Sequence, residues 1–357
     1  MKKQYDTLDK NEEDKALEIH KKSIVINGLG GPGSSVLRGV QFFDLMKQGG
    51  VTATNHTVGS SNFERPCLTI ANMLKTFEIV GRDKYFSALS VEDIKKAKKL
   101  NGSILIFGFQ NTLPLENYNI NLLKFFQHIG VRIIQLTYQK MNLVGCGCGE
   151  IVVSGKDCGL SSFGISVVEE MNKLGILIDL SHVGHKTTME TIELSKYPVA
   201  FTHTNVRAIN DYCRCKTDEE IQAVSETGGV IGVTALSRFI NPRDDEGFII
   251  PATMDDFLDN IDYIINLVGI NHVGIGLDIS EWRTAEDFAE SQIQPINPEM
   301  RPPQDVYNRD TWYAKGIQSI SQMPNITRGL VARGYSDQEI SKILGGNFLN
   351  LFEKVWK

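Results

Sequence analysis

Two short apolar runs, each ending in a histidine, constrain the fold of this chain more than any other feature. The first is Gly175–His182 (GILIDLSH) and the second is Pro198–His203 (PVAFTH). Each run is too short and too β-branched for a helix, which indicates a buried strand. The segment between them, Gly184–Lys196, is typical of one helix. The order strand, helix, strand predicts a parallel βαβ unit with its functional residues at the carboxyl ends of the strands.

Six further apolar runs of the same kind occur along the chain, and helical segments separate most of them. They begin at Ile24, Val51, Ser103, Arg132, Gly229 and His272. Eight strands with intervening helices predict an α/β fold, a (β/α)8 TIM barrel, which needs roughly 250 residues plus insertions. We expect one barrel domain over residues 1–357, with an N-terminal helix at about 9–22 and a loop excursion at about 281–322. Residues 139–160 lack a clear period, which predicts a long loop over the barrel mouth.

The composition argues against several classes of protein. The 37 lysines and arginines are spread along a chain of net charge −6, so no basic patch for nucleic acid is expected. The chain has no apolar run near 18 residues and its first 22 residues are polar, so we expect neither a membrane span nor a signal peptide. Its six cysteines do not suggest a disulfide scaffold. We therefore expect a cytoplasmic globular protein with reduced cysteines.

Polar side chains follow seven of the eight predicted strands and should meet at one face of the barrel. They are Asn27, His56, Gln110, Tyr138, His182, His203 and Asp278. A pair of neutral imidazoles is suited to a divalent ion such as zinc, and an aspartate can accept the proton that an activated water loses. A single histidine of this kind often only hydrogen-bonds a loop. Two on adjacent strands, together with Asp278, favour a metal-dependent hydrolase.

Several segments resemble, in consecutive order, those of the membrane (renal) dipeptidase family of the amidohydrolase superfamily. They are Cys158–Gly164, Val168–Gly175, Ile178–His182, Phe201–His203, the stretch around Arg214, Gly229–Gly232, Val273–Asp278, Pro324–Leu330 and Gly345–Phe348. The resemblance implies an amidohydrolase-type (β/α)8 barrel, usually with two zinc ions. It also implies hydrolysis of dipeptides, often with a D-residue at the C-terminal position, and commonly a homodimer.

The resemblance assigns roles to four residues that match the family's pattern. His182 and His203 fall on the two histidine ligands of the second metal. Asp278 falls on a ligand of the first metal that also serves as a proton acceptor. Arg214 falls on an arginine that binds the substrate carboxylate.

Four other positions depart from that pattern. Leu29 and Gly31 stand where the family has a strand-one His-x-Asp pair, and neither can bind a metal. Gln110 stands in place of the bridging glutamate, and Tyr138 in place of a histidine that contacts the substrate. The chain is therefore identified as a divergent member of the family. Its site is predicted to be reduced to a single metal ion, zinc or another divalent ion.

Additional ligands are conceivable for this single ion. Beyond His182, His203 and the amide oxygen of Gln110, the imidazole of His56 could contribute, because strand two ends beside strand one. The two Cys-x-Cys pairs, at residues 146–148 and 213–215, lie in loops expected over the same face. A thiolate, with Cys148 as first choice, could reach the metal, or the four cysteines could form a structural site. The alternative is that all four are ordinary reduced thiols.

We predict a metallohydrolase that cleaves an amide or peptide-type bond in a small carboxylate-bearing substrate, a dipeptide or an analogue. Asp278 would be catalytic, and Arg214 and Tyr138 would bind the substrate. A lyase or cyclic-amide hydrolase acting in the same pocket is one alternative. A non-catalytic barrel that binds a small molecule or a protein is another alternative. The loss of three of the family's metal ligands favours it, and the presence of both histidines, Asp278 and Arg214 argues against it.

Overall fold

The eight apolar runs form eight parallel strands that close into a barrel in the order β1 to β8, which confirms the predicted fold class. The computed structural model describes residues 3–59, 61–115, 118–242, 244–246, 250–282 and 309–357. Asn27 pairs with Ile275, so that the last strand meets the first. The strands are β1 (Ile26–Asn27), β2 (Ala53–Gly59), β3 (Ile104–Phe109), β4 (Val131–Gln135), β5 (Leu177–Asp179), β6 (Ala200–Thr204), β7 (Val230–Val233) and β8 (Val273–Ile275).

Helices connect successive strands and surround the barrel, as the parallel order requires. They are α1 (Lys10–Lys22), α2 (Val36–Gln48), α3 (Glu64–Val80), α4 (Val91–Lys99), α5 (Asn121–His128), α6 (Glu150–Ser154), α7 (Ser162–Leu174), α8 (His185–Leu194), α9 (Asp218–Glu226), α10 (Ser237–Ile240), α11 (Met254–Val268), α12 (Arg309–Trp312), α13 (Met323–Ala332), α14 (Asp337–Ser341) and α15 (Asn347–Val355). None of the described helices is both long and apolar enough to cross a membrane.

Three predicted features of the chain outside the barrel strands have different outcomes. The N-terminal helix is present as α1, and an ion pair of 2.6 Å between Glu13 and Arg328 ties it to α13. The predicted excursion at 281–322 lies largely outside the described residues. Residues 139–160 are not purely a loop, because the five-residue helix α6 lies within them. A helix of little more than one turn is too short to produce a recognisable period.

The terminal helix α15 plugs one end of the barrel and so decides which end is open. Its Phe348 and Phe352 join a buried cluster with inward-facing strand residues such as Ile26 and Ile104. A Cβ built on Gly274 would lie 2.5 Å from the Phe348 ring, so that only glycine fits this close approach. With this end filled by aromatic rings, the interior of the barrel is left open at the carboxyl ends of the strands.

Candidate active site

The carboxyl ends of the strands enclose a cavity of about 400 Å³. The first βα loop, β2, and the loops after β3, β4, β5, β7 and β8 all supply residues to it. The polar and charged side chains on its wall are Ser34, Arg38, His56, Thr57, Arg65, Thr69, Gln110, Tyr138, His182, Arg238, Asp278, Ser280, Trp312 and Tyr313. Five of the eight predicted site residues therefore line one cavity: His56, Gln110, Tyr138, His182 and Asp278. His203, Arg214 and Cys148 lie behind its wall.

His182 and His203 are brought together as the sequence predicted. Their Nε2 atoms are 3.0 Å apart, and the Gln110 amide nitrogen is 3.3 Å from Nε2 of His203. Both imidazoles are almost fully buried. His182 forms part of the cavity wall, and His203 lies directly behind it with its Nε2 facing His182 and Gln110. Two ring nitrogens and one amide group therefore converge on one point beside the cavity.

A hydrogen-bond relay fixes the orientation of His203. Thr202 Oγ1 donates to the Asp179 carboxylate over 2.6 Å, so its lone pair accepts from Nδ1–H of His203 at 2.8 Å. Asp179 also accepts hydrogen bonds from the backbone N–H groups of Ser181 and Thr202 and from the Ser181 hydroxyl. With the proton on Nδ1, Nε2 of His203 carries a lone pair. This is the tautomer that a metal ligand requires, and the carboxylate behind it is a common support for such histidines.

Electrostatics keep both histidines neutral. Burial is the largest cause and places the pKa of His182 and of His203 well below the usual 6.5. The Arg214 guanidinium is the second cause for both rings, because a nearby positive charge disfavours a second one. Neutral imidazoles bind a metal without losing a net proton, but His182, whose Nε2–H donates to the lone pair of His203 in this arrangement, first has to shift its proton to Nδ1.

Arg214 occupies a different place from the one its predicted role would suggest. Its side chain is buried, with 1% exposed, and is not among the described residues that line the cavity. Its two terminal nitrogens donate to the carbonyls of Ser181 and His203, at 2.5 and 2.6 Å. Arg214 thus ties together the ends of β5 and β6, which carry the two histidines. Its contact with a substrate carboxylate stays a prediction.

Tyr138 and Asp278 both lie on the cavity wall, as expected from their strand-end positions. The Tyr138 ring stacks on the His182 imidazole, with centroids 4.1 Å apart and planes 23° from parallel. Asp278 adopts a left-handed backbone conformation with φ of 56°. Its backbone N–H donates to the Leu29 carbonyl over 3.0 Å, which anchors this loop to the one after β1. A non-glycine residue in this conformation costs roughly 1 kcal/mol, and such residues cluster at active sites.

Comparison with known proteins agrees with this geometry. The model of the family described as membrane dipeptidase, peptidase family M19, matches residues 66–290. The chain belongs to the membrane dipeptidase family. An uncharacterised dipeptidase of Schizosaccharomyces pombe is 27% identical over 325 residues, which are 89% of this chain and 69% of that protein. The dipeptidase tcpJ of Claviceps purpurea is 25% identical over 274 residues, covering 76% of this chain and 56% of that protein.

A solved structure extends the comparison to the fold. An amidohydrolase from Pseudomonas aeruginosa superposes with a TM-score of 0.84 at 32% identity, over 96% of this chain and 99% of that one. The resemblance recognised in the sequence is thereby confirmed, and the chain is a hydrolase of the dipeptidase kind.

The strand-one position of the dipeptidase family shows how this member differs from the pattern. A Cβ on Gly31 would lie 2.1 Å from Nδ1 of His56, so that the imidazole occupies the space a side chain at 31 would need. The ring hydrogen-bonds the Gly33 backbone and burial lowers its pKa to about 4. Its Nε2 is buried without a partner among the described residues. Where the resemblance places an acidic metal ligand, this chain has a neutral imidazole instead.

The cysteines form two separate contacts. Cys148 receives a hydrogen bond from the Cys213 thiol, which is the largest cause lowering its pKa to about 7, while the same bond raises the pKa of Cys213. The Cys158 backbone donates to Sγ of Cys146 over 3.2 Å. Burial raises the pKa of Cys215 to about 12. A structural site of four cysteines is not formed, since no three His, Cys, Asp or Glu side chains gather anywhere in the described part of the chain.

The donors that do gather fit one metal ion. With Zn–N bonds of about 2.1 Å, two imidazole nitrogens on one tetrahedral ion lie about 3.4 Å apart. The observed 3.0 Å therefore needs only a small rotation of either ring. Turning the Gln110 amide by 180° presents its oxygen as a third donor, and amide orientation is a matter of the local hydrogen bonds. His56 and Cys148 do not join this group as the chain is arranged, and their role as ligands stays a prediction.

Sequence reasoning missed five residues that shape the site. Thr202 and Asp179 lie within the two apolar runs that predict β5 and β6. The signal that could have found them is that a buried polar residue in such a run usually requires a hydrogen-bond partner. Arg238 follows β7 by five residues and lines the cavity, so that the strand-end rule could have found it. Arg38 and Arg65 lie on α2 and α3, where nothing in the sequence distinguishes them from ordinary surface residues.

Proposed function

We propose that the chain is a metal-dependent hydrolase of small dipeptide-like substrates that works with one metal ion. The observation that carries the proposal is the pair of buried, neutral imidazoles with Nε2 atoms 3.0 Å apart beside the cavity. The relay from Asp179 through Thr202 also supports the proposal, because it fixes His203 in the tautomer with a lone pair on Nε2, which a metal ligand requires. Membership of the dipeptidase family supports the substrate class, and the cavity of about 400 Å³ has the size for it.

Each residue then has a defined task. His182, His203 and the oxygen of Gln110 would hold the ion, which when bound supplies a Lewis acid that polarises the scissile carbonyl. Asp278, on the opposite part of the barrel rim, would accept and return the proton of the attacking water. The Tyr138 ring, stacked on His182, limits rotation of that imidazole and shields it from bulk water. Zinc as the ion, a homodimeric assembly and a cytoplasmic location stay predictions.

Metal content tests the proposal directly. We expect purified wild-type protein from metal-replete medium to hold about one divalent ion per chain by elemental analysis. His182→Ala/His203→Ala should hold none. His128→Ala, at the exposed end of α5, is the matched control and should retain the full complement. A wild-type protein without stoichiometric metal would refute the proposal.

The second candidate is a binding barrel without catalysis. It is favoured by the lack, among the described residues, of any group of three His, Cys, Asp or Glu side chains. Protein that holds one ion but hydrolyses no member of a panel of dipeptides, N-acyl amino acids and cyclic amides would support this candidate. Hydrolysis that is lost in Asp278→Asn with metal content intact would support the first.

A further inference from the structure

We propose that the cavity selects small substrates that carry a second acidic group, which Arg38 and Arg65 bind at its mouth. The substrates meant are acidic dipeptides and N-acylated acidic amino acids, in which a side-chain carboxylate accompanies the α-carboxylate. This inference rests on the proposed function for the identity of the ligand as substrate. It rests on the charges of the cavity wall for the preference itself.

The described wall of the cavity carries an excess of positive charge. Its charged side chains are three arginines, Arg38, Arg65 and Arg238, against the single carboxylate of Asp278. The pKa of His56 and of His182 is lowered by burial, so that neither ring adds to or offsets this charge at pH 7. The chain as a whole has a net charge of −6, so the positive wall is a local arrangement. A concave, positively charged wall raises the local concentration of anions and favours their binding.

Arg38 and Arg65 lack the acidic partners that other arginines of this chain have. Arg82 lies 2.7 Å from Glu78, and Arg207 lies 2.7 Å from Asp211. No ion pair of Arg38 or Arg65 occurs among the described residues, and both side chains are exposed to the cavity mouth. Their guanidinium groups are therefore available to a ligand.

Their positions on the helices add to the positive potential. Arg38 is in the first turn of α2 and Arg65 in the first turn of α3. The amino end of a helix is itself positive, so a cation there is unfavourable by roughly 0.3–1 kcal/mol. No acidic residue offsets this cost in the first turn of α2, whereas Glu64 offsets part of it in the first turn of α3. An anion bound between the two arginines would offset this cost, and guanidinium groups bind carboxylates with paired hydrogen bonds.

The third arginine lies at a separate point of the wall. Arg238 follows β7, and its guanidinium is held 4.8 Å from the centroids of both the Phe239 and the Trp312 rings. Arg38 and Arg65 follow β1 and β2 instead. The cavity thus has positive charge at two positions on different strands, which suits one molecule with two anionic groups. His56, on β2, also lines this cavity.

A matched pair of ligands isolates the second charge. N-acetyl-L-glutamate and N-acetyl-L-glutamine have the same size and differ in one carboxylate. We expect titration calorimetry at low salt to show about tenfold tighter binding of the glutamate derivative to wild-type protein, with the advantage falling as salt rises. Arg38→Gln/Arg65→Gln should bind both ligands equally. Arg82→Gln removes one exposed arginine just after α3, away from the cavity, and should keep the preference.

The outcomes separate this inference from the proposed function, because the binding assay requires no turnover. Equal binding of the two ligands by the wild type, binding of neither, or a preference that survives in the double variant would each overturn the inference. A preference in binding, together with no hydrolysis of any member of the substrate panel, would support the inference while refuting the proposed hydrolase. Faster hydrolysis of Ala-Glu than of Ala-Gln, abolished in the double variant, would support both.

Discussion

Replacing Gly31 by alanine tests the packing that distinguishes this site from the strand-one pattern of its family. The new Cβ would lie 2.1 Å from Nδ1, 2.9 Å from Cγ and 3.1 Å from Cε1 of His56. The His56 side chain is only 2% exposed, so the ring cannot move outward without displacing its neighbours. We expect Gly31→Ala to force the imidazole from its position and to break its hydrogen bond with the Gly33 backbone.

The expected cost has three parts, the first being about 1 kcal/mol of backbone strain, because Gly31 has a φ of +154° that a side chain disfavours. Overpacking of a buried site by one methyl group typically costs about 1–3 kcal/mol. A buried ring nitrogen that loses its hydrogen bond costs about 1–2 kcal/mol more. Gly31→Ala should therefore lower the free energy of unfolding by about 3–6 kcal/mol. A Cβ on Gly33 meets nothing within 4 Å, so Gly33→Ala, whose φ is +71°, should cost only about 1 kcal/mol of backbone strain.

Urea unfolding of a double-mutant cycle gives the decisive measurement. His56→Ala opens the space that the methyl group at position 31 needs, so the double variant Gly31→Ala/His56→Ala should be more stable than the sum of the single costs by at least about 1 kcal/mol. Costs that simply add, or a Gly31→Ala variant as stable as Gly33→Ala, would refute the reasoning. In either case His56 and Gly31 would not be in the contact described.

Two further predictions concern pH and Arg214. His20 and His56 have a pKa of about 4 in the folded chain because of burial, so the unfolded state binds protons first as pH falls below 6.5. The free energy of unfolding, measured with urea, should be highest above pH 6.5 and should be lower by roughly 2 kcal/mol per histidine at pH 5. His20→Asn should remove the contribution of His20 to this loss. The same pH dependence in wild type and His20→Asn would contradict the prediction. Arg214→Met should lower stability by about 3 kcal/mol and reduce metal content, because two buried carbonyls lose their donor. The exposed Arg207→Met should change neither by a measurable amount, and a loss of substrate affinity alone in Arg214→Met would argue against a bracing role.

The barrel could be predicted because its signals are local. A fully buried run such as β3 (Ile104–Phe109) is apolar on both faces, which is typical of a parallel strand between helices. The start of α9 is set by a capping box in which Thr217 accepts from the Glu220 backbone and Glu220 accepts from that of Thr217. The short helices α6 and α10 carry no period and no side-chain N-cap. Contacts with the rest of the fold, rather than local pattern, determine them.

The candidate site was predictable where the strand-end rule applies and not beyond it. His182, His203 and Asp278 each follow a strand, so the barrel topology alone brings them to one end. The direction in which a side chain points from a loop is set by contacts distant in sequence. Arg214 therefore went unrecognised as a brace behind the histidines, and Arg238 went unnoticed as part of the cavity wall. The residues next to Arg214 and Arg238 in the sequence do not indicate where either side chain lies in the fold.

The packing of Gly31 against His56 links one departure from the family pattern, the glycine at 31, to a strand-end histidine 25 residues further along the chain. Alanine at 31 already clashes with the His56 ring, and the aspartate of the family pattern is larger still. A chain with His56 in this orientation therefore has no room for that ligand. Conversely, the glycine leaves the space that the buried His56 imidazole fills, and His56 lines the cavity. Simple decay of a metal ligand would leave a void or a solvated gap. A filled and hydrogen-bonded replacement favours a site rebuilt around the two remaining histidines, and a restored aspartate at 31 would need a smaller residue at 56.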